Sequence, residues 1–343
     1  MTQSVNNIQS CNFTRTVLML LVVLCHSVAF FGGHWFKVLA LDEPSRVLGL
    51  LSSWLGTFHV QGFTLVSGYV YYYLSEEKGK YPTVSSLLSK KIQRLLIPYV
   101  MVSTLWVIPI GNLFFHYSIR DVIVKYALGT APSQLWFLLM LFNIFLISAL
   151  YKNIVNTKLR LIFAVLFLVV GNVLSLGIPN IFQIFTAMRY LIFFELGCYI
   201  RQHYSDISSR RMGCIGVGFL LLNVSLFFIA RSISVDGFMM QTLHLGVNVL
   251  CQLTGALMAF FILSCFSSNI NWKNKVFDSL SNASFAIYLF HQQFIYILLS
   301  CFLKYCNPIC MSLICFIVST LLAWGFSVLL RRFRFTRFIV GIR

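Results

Sequence analysis

Polar and apolar positions in this sequence separate into long blocks. Stretches of roughly 20 residues almost free of charge recur along the whole chain, and that is the length an α-helix needs to cross about 30 Å of hydrocarbon. Short polar or breaker-rich segments divide them. The blocks predict spans near 16–33, 47–74, 95–115, 134–151, 161–176, 182–200, 213–230, 240–266, 281–301 and 310–330. The approach to the first block is polar and holds no Lys or Arg before Arg15, and no small-residue cleavage pattern follows it. It reads as a retained helix, not a signal peptide.

Composition sharpens the class. Of 343 residues, 59% are apolar and 10% charged, where a soluble globular chain carries roughly 25% charged residues. The expected fold is an all-α integral membrane protein, a bundle of about ten transmembrane helices forming one domain over 1–343. No soluble domain, linker, low-complexity tract or internal repeat stands out. The net charge of +17 would suggest a nucleic-acid partner in a soluble chain. Here the basic residues cluster in short connections between apolar blocks, where they act as topology signals, and no nucleic-acid partner is expected. Nineteen Lys and Arg fall on the side of the amino terminus and six on the other, with Arg189 inside a span. Both termini are therefore expected in the cytoplasm. Most of the ten cysteines lie in apolar blocks as small hydrophobes; Cys306 and Cys310, flanking Pro308, are the pair placed to form an exofacial disulfide.

Ionisable groups at membrane depth are costly and face protein or a water-filled cavity, so each marks a candidate site. Arg15 and His26 are eleven residues apart, about 20° beyond three full helical turns, so they share a face, about 16 Å apart along the axis. That places Arg15 near the headgroups and His26 near mid-bilayer. His59 and Gln61 join them from the second span, where Gly62 and Gly68 also suit close helix packing. Arg189 and Glu195, six apart in the sixth span, point about 240° around the helix from one another, so each needs a partner elsewhere or a ligand. His291 and Tyr288 share a face of the ninth span. His244 lies closer to the outer interface. No phosphate loop, paired-cysteine metal spacing or Gly-x-Ser-x-Gly elbow is present. Histidine, with its ordinary pKa near neutrality, suits proton movement from an alcohol or amine.

Arg15, ten intervening residues and His26 resemble the characteristic motif of membrane acyltransferase family 3, the bacterial O-acyltransferases that decorate surface polysaccharides. Phe58 to Tyr69, with His59, is similar to the second-span pattern of the fucose-4-O-acetylase-like branch. Lys90 to Tyr99 resembles the Arg-x-x-Arg stretch followed by Pro, with Lys91 where the first Arg is usual. Leu135 to Leu138, Arg189 to Gly197 and Ser284 to His291 resemble later signatures.

The resemblance implies a multi-pass protein of the bacterial inner membrane that moves an acyl group, most often acetyl, from cytoplasmic acetyl-CoA to a hydroxyl of a surface polysaccharide or its lipid-linked precursor. His26 is then the central catalytic group, either deprotonating the acceptor hydroxyl or carrying the acyl group itself. Arg15 orients the donor or contacts its phosphates; Lys91 and Arg94 line the same cytoplasmic mouth, where cations attract a polyanion. His59, Arg189 and Glu195 are assigned to acceptor binding or pocket stabilisation, and His291 to substrate binding. The expected partners are acyl-CoA, the glycan acceptor and membrane lipid; no metal is implied. The alternative is a multi-span transporter or flippase, which also carries charge at depth.

Overall fold

The computed structural model describes residues 2–33, 35–41, 43–151, 154, 156–204, 207–269 and 274–341. Lys152, Lys273 and Arg343, counted among the topology charges, lie outside them. All regular structure among the described residues is helical. Among the described residues, nine helices are long and apolar enough to cross a membrane: Ser10–Gly32, Val84–Phe115, Ser133–Leu150, Thr157–Leu174, Ile181–His203, Ser209–Ser232, Phe238–Ser268, Lys275–Tyr305 and Pro308–Leu330. Each covers one of the predicted spans.

The remaining predicted span, the second, 47–74, is a broken helix. Arg46–Gly56 and His59–Tyr72 are separate pieces joined at Thr57 and Phe58, so neither alone has the length of a crossing. Together they run antiparallel to the first helix, as three contacts show. Gly49 meets Gly32, Cys25 Sγ donates to the Ser52 carbonyl at 3.5 Å, and Gly62 packs on Leu18. The break at Phe58 lets His59 open the second piece, where its Nδ1 lies 2.6 Å from the Leu55 carbonyl across the join.

Helix Val84–Phe115 carries Pro98 and Pro109. A proline removes a backbone donor and crowds the preceding turn, and here each follows a widened π-type turn, Ile92–Leu96 and Ser103–Val107. Arg94 sits within the first of these. Among the described glycines, the tightest backbone approach pairs His59–Tyr72 with Ile184–His203. A Cβ on Gly68 would lie 1.9 Å from the Phe194 carbonyl oxygen, and one on Gly197 2.0 Å from that of Leu65, so only glycine lets these backbones meet.

Contacts along the helices define two ends of the bundle. Ser10 meets Ser267, Phe13 meets Phe277, and Arg201 pairs with Glu77. Arg94 and Gly341 lie at this same end, called here the basic face. Gly32, Gln134 and Gln183 lie toward the other. The ten cysteines are free thiols, Cys306 and Cys310 included.

Candidate functional site

A cavity of about 590 Å³ runs through the bundle from the basic face. Its mouth is lined by Arg15, Lys91, Arg94 and Arg331, and its far end by His26, His59, Gln134, Trp136 and Tyr288. No Asp or Glu is among its described lining residues, so the wall is cationic and attracts anions. Arg15 and Lys91 have no carboxylate within ion-pair distance among the described residues. Lys91 Nζ instead lies 3.5 Å from the centre of the Phe145 ring, a cation–π contact that holds the ammonium without neutralising it.

His26 meets His291 at the deep end. Their Nδ1 and Nε2 atoms are 2.8 Å apart, with ring centres 5.1 Å apart and planes 18° from parallel. That is two imidazoles joined edge to edge by a hydrogen bond. His291 is fully buried and its Nδ1 lies 2.8 Å and 3.1 Å from the carbonyls of Tyr288 and Ile287. Carbonyls only accept, so His291 Nδ1 carries the hydrogen and its Nε2 accepts. His26 Nδ1–H therefore donates to His291. By this network the neutral His26 keeps its lone pair on Nε2, the ring nitrogen left for the cavity. Trp35 stacks on the His26 ring at 5.4 Å and also packs on Tyr296, fixing its plane.

His59 follows the same logic. Its Nδ1 donates to the Leu55 carbonyl, so in the neutral ring Nε2 is the free acceptor. Gln134 Nε2 donates to the Leu289 carbonyl and to Gln293 Oε1, at 2.9 Å and 2.7 Å, while the Tyr288 hydroxyl donates to the Gln134 carbonyl. These bonds tie the loop before Trp136 to the helix that carries His291.

A family model described as an acyltransferase domain, of the acyltransferase-3 type, matches residues 8–328. The chain belongs to the acyltransferase-3 family. Among curated proteins, this acyltransferase-3 chain is 25% identical over 330 residues to the glucans biosynthesis protein C of Escherichia coli O139:H28 (strain E24377A / ETEC), covering 81% of this chain and 79% of the relative. The protein of the same name from Escherichia coli O17:K52:H18 (strain UMN026 / ExPEC) matches to the same extent. No solved structure matches significantly.

Of the eight residues singled out in this acyltransferase-3 sequence, the structure places Arg15, His26, His59, Lys91 and Arg94 on one cavity and sets His291 behind His26. Glu195 and Arg189 lie elsewhere. Glu195 is fully buried against Arg160: Arg160 Nε is 2.8 Å from Oε2 in an off-line ion pair, and Nη2 donates to Oε1 at 3.2 Å. The Tyr151 hydroxyl donates to the same Oε1 at 2.6 Å. Oε1 thus accepts two hydrogen bonds from protein, and Oε2 is held by the charge of Arg160 alone. Arg189 lines a second, smaller cavity.

The residues that sequence reasoning passed over as parts of a site are Arg160 and Arg331, both counted only among the topology charges, and Gln134 and Trp35. Arg160 had a signal, since it stands at the very edge of the predicted span 161–176. Trp35 lies just beyond the first span, where nothing in the pattern points it back at His26.

Proposed function

We propose that the protein is a membrane O-acyltransferase that takes acetyl from cytoplasmic acetyl-CoA and gives it to a hydroxyl of a surface polysaccharide or its lipid-linked precursor. The observation that carries this reading is the single cavity joining a cationic mouth to a histidine whose one open nitrogen is fixed by a second histidine. A donor with phosphates at one end, a long flexible arm and a thioester at the other fits such a cavity. Arg15 and His26 differ by about 16 Å along their helix, which gives the arm room between phosphates and reacting carbon. The name of the curated relatives speaks of glucans, which supports a glycan acceptor. The positive-inside tendency supports a cytoplasmic basic face and an inner-membrane location.

In this reading His26 Nε2 takes the proton of the acceptor hydroxyl as the oxygen attacks the thioester carbonyl carbon. The carbon–sulfur bond then breaks, and the departing thiolate recovers that proton from Nε2. While the imidazolium exists, its Nδ1–H points at the neutral His291 Nε2, which holds the ring in place. Arg15, Lys91 and Arg94 bind the donor's phosphates by charge, Arg94 with the planar fork that suits phosphate. His59 Nε2 accepts a hydrogen bond from a second acceptor hydroxyl.

Membranes carrying His26→Ala, given radiolabelled acetyl-CoA and the acceptor polysaccharide, should lose transfer by about 10²–10⁴-fold, the usual range for a general base. Transfer at the normal rate would remove His26 from the chemistry. Label retained on the protein without acceptor, and absent in the variant, would show that His26 carries the acyl group itself.

A further inference from the structure

A second cavity of about 360 Å³ lies toward the face opposite the basic mouth. Gln183, Thr186 and Arg189 come to it from the beginning of Ile181–His203, Asn172 from the end of Thr157–Leu174, and Asn248 and Gln252 from the first half of Phe238–Ser268. Three features set it apart. Its polar wall is made of amides, the hydroxyls of Thr186 and Tyr190 and one guanidinium, with the rings of Trp136, Tyr190 and Phe193 beside them. Amides over aromatic faces suit a saccharide, whose hydroxyls both donate and accept and whose C–H faces are apolar. Its cation is unmatched. Arg189 Nη2 reaches Thr186 at 3.3 Å, its Nε is buried with no hydrogen-bond partner, and no carboxylate is within ion-pair distance among the described residues. A guanidinium at membrane depth without a counter-charge is costly, and an anion from outside the chain would relieve that cost. Lastly, Trp136 lines both this cavity and the one that holds His26.

We propose that this second cavity is the acceptor subsite and that it takes a saccharide bearing a carboxylate or phosphate, with Trp136 as the partition between acceptor and acyl donor. The proposal rests on the acyl-transfer reading for the word acceptor; the anionic-saccharide site itself stands on the wall chemistry. Arg189 holds the anion by a bidentate bond. Gln252, whose amide has no protein partner among the described residues, bonds a ring hydroxyl. A hydroxyl of the bound sugar then reaches His26 past the edge of Trp136, while water at the opposite face stays separated from the thioester.

The full chain in lipid nanodiscs is titrated with three probes: an oligogalacturonate, a neutral oligogalactoside of equal length, and a polyprenyl-phosphate-linked glucose. Calorimetry reads the binding. One or both anionic probes should bind more tightly than the neutral one, and Arg189→Gln should remove that preference, weakening the anionic probe by about tenfold or more. Gln252→Leu should weaken every probe that binds. The oligogalacturonate and the lipid-phosphate arms separate an acidic sugar from a glycosyl phosphate as the source of the anion. Equal affinity for neutral and anionic probes, no binding of any probe, or binding indifferent to both substitutions would overturn the proposal. Should Arg189→Gln fail to fold, Gln252→Leu and the neutral-against-anionic comparison on the unaltered chain still decide it. Acetyl-CoA binding is measured on the same samples. Its absence beside intact anionic binding would sink the acyl-transfer reading alone, and its presence beside absent saccharide binding would sink this proposal alone.

Discussion

Two buried polar pairs in this bundle look alike by sequence and differ in what the protein leaves open. Arg160 and Glu195 close on each other, with Tyr151 and Ser148 filling further bonds. His26 and His291 also bond to each other, and two carbonyls hold His291 in turn. The first pair is consumed by protein. In the second, the chain of donors and acceptors runs one way, from His26 Nδ1 to His291 Nε2 and from His291 Nδ1 to the carbonyls, and ends with an unclaimed lone pair in a cavity. Depth in the membrane makes both pairs conspicuous, and only the count of bonds already made separates a strut from a site.

The sharpest way to break this comparison is to neutralise Glu195. Glu195→Gln leaves the Arg160 guanidinium buried without its counter-charge, a loss of about 3–5 kcal/mol for breaking a buried pair. The measurement is thermal unfolding of the detergent-solubilised protein. Whatever folded variant remains should keep its affinity for acetyl-CoA, because Glu195 does not line the cavity. Unchanged unfolding with lost transfer would turn this strut into a part of the site. A double replacement of Arg160 and Glu195 by apolar residues of matching size should recover much of the lost stability.

The opposite pattern is expected at His291. His291→Leu removes the acceptor of the His26 Nδ1–H, so the His26 ring can rotate or exchange tautomers; transfer should fall by about 10²-fold with little change in the Michaelis constant for acetyl-CoA. His291→Gln, whose amide oxygen accepts a hydrogen bond, should recover part of the rate. A merely structural role for His291 would show instead as a shift in unfolding temperature that follows both substitutions, with no rescue by Gln.

Much of this was legible in the chain. Blocks of apolar residues gave nine of the predicted spans because a membrane demands a fixed helical length. The second span was legible in place but not in form: a break at Thr57 and Phe58 leaves an apolar run apolar, and only contacts across the bundle reveal it. The face shared by Arg15 and His26 follows from helical period alone, and both line one cavity. What lies beyond the reach of one helix's period is the pairing between helices. Glu195 finds Arg160, thirty-five residues away, and His26 finds His291, 265 residues away. Spacing within the sixth span excluded Arg189 as the partner of Glu195, yet could not say which other residue takes the part.

The smallest expected effect tests the mouth of the cavity against its deep end. Lys91→Met keeps the length and apolar stem that lie on Phe145 while removing the charge. If the ammonium serves the donor by electrostatic attraction, the Michaelis constant for acetyl-CoA should rise by about tenfold, the size of one charge-assisted contact, with kcat nearly unchanged. Added salt should weaken acetyl-CoA binding in the unaltered protein more than in the variant, since the exposed part of the attraction is screened over about 10 Å at 0.1 M. A fall in kcat with an unmoved Michaelis constant would instead put Lys91 with His26 in the reaction itself, and the division of the cavity into a binding mouth and a reacting end would have to be redrawn.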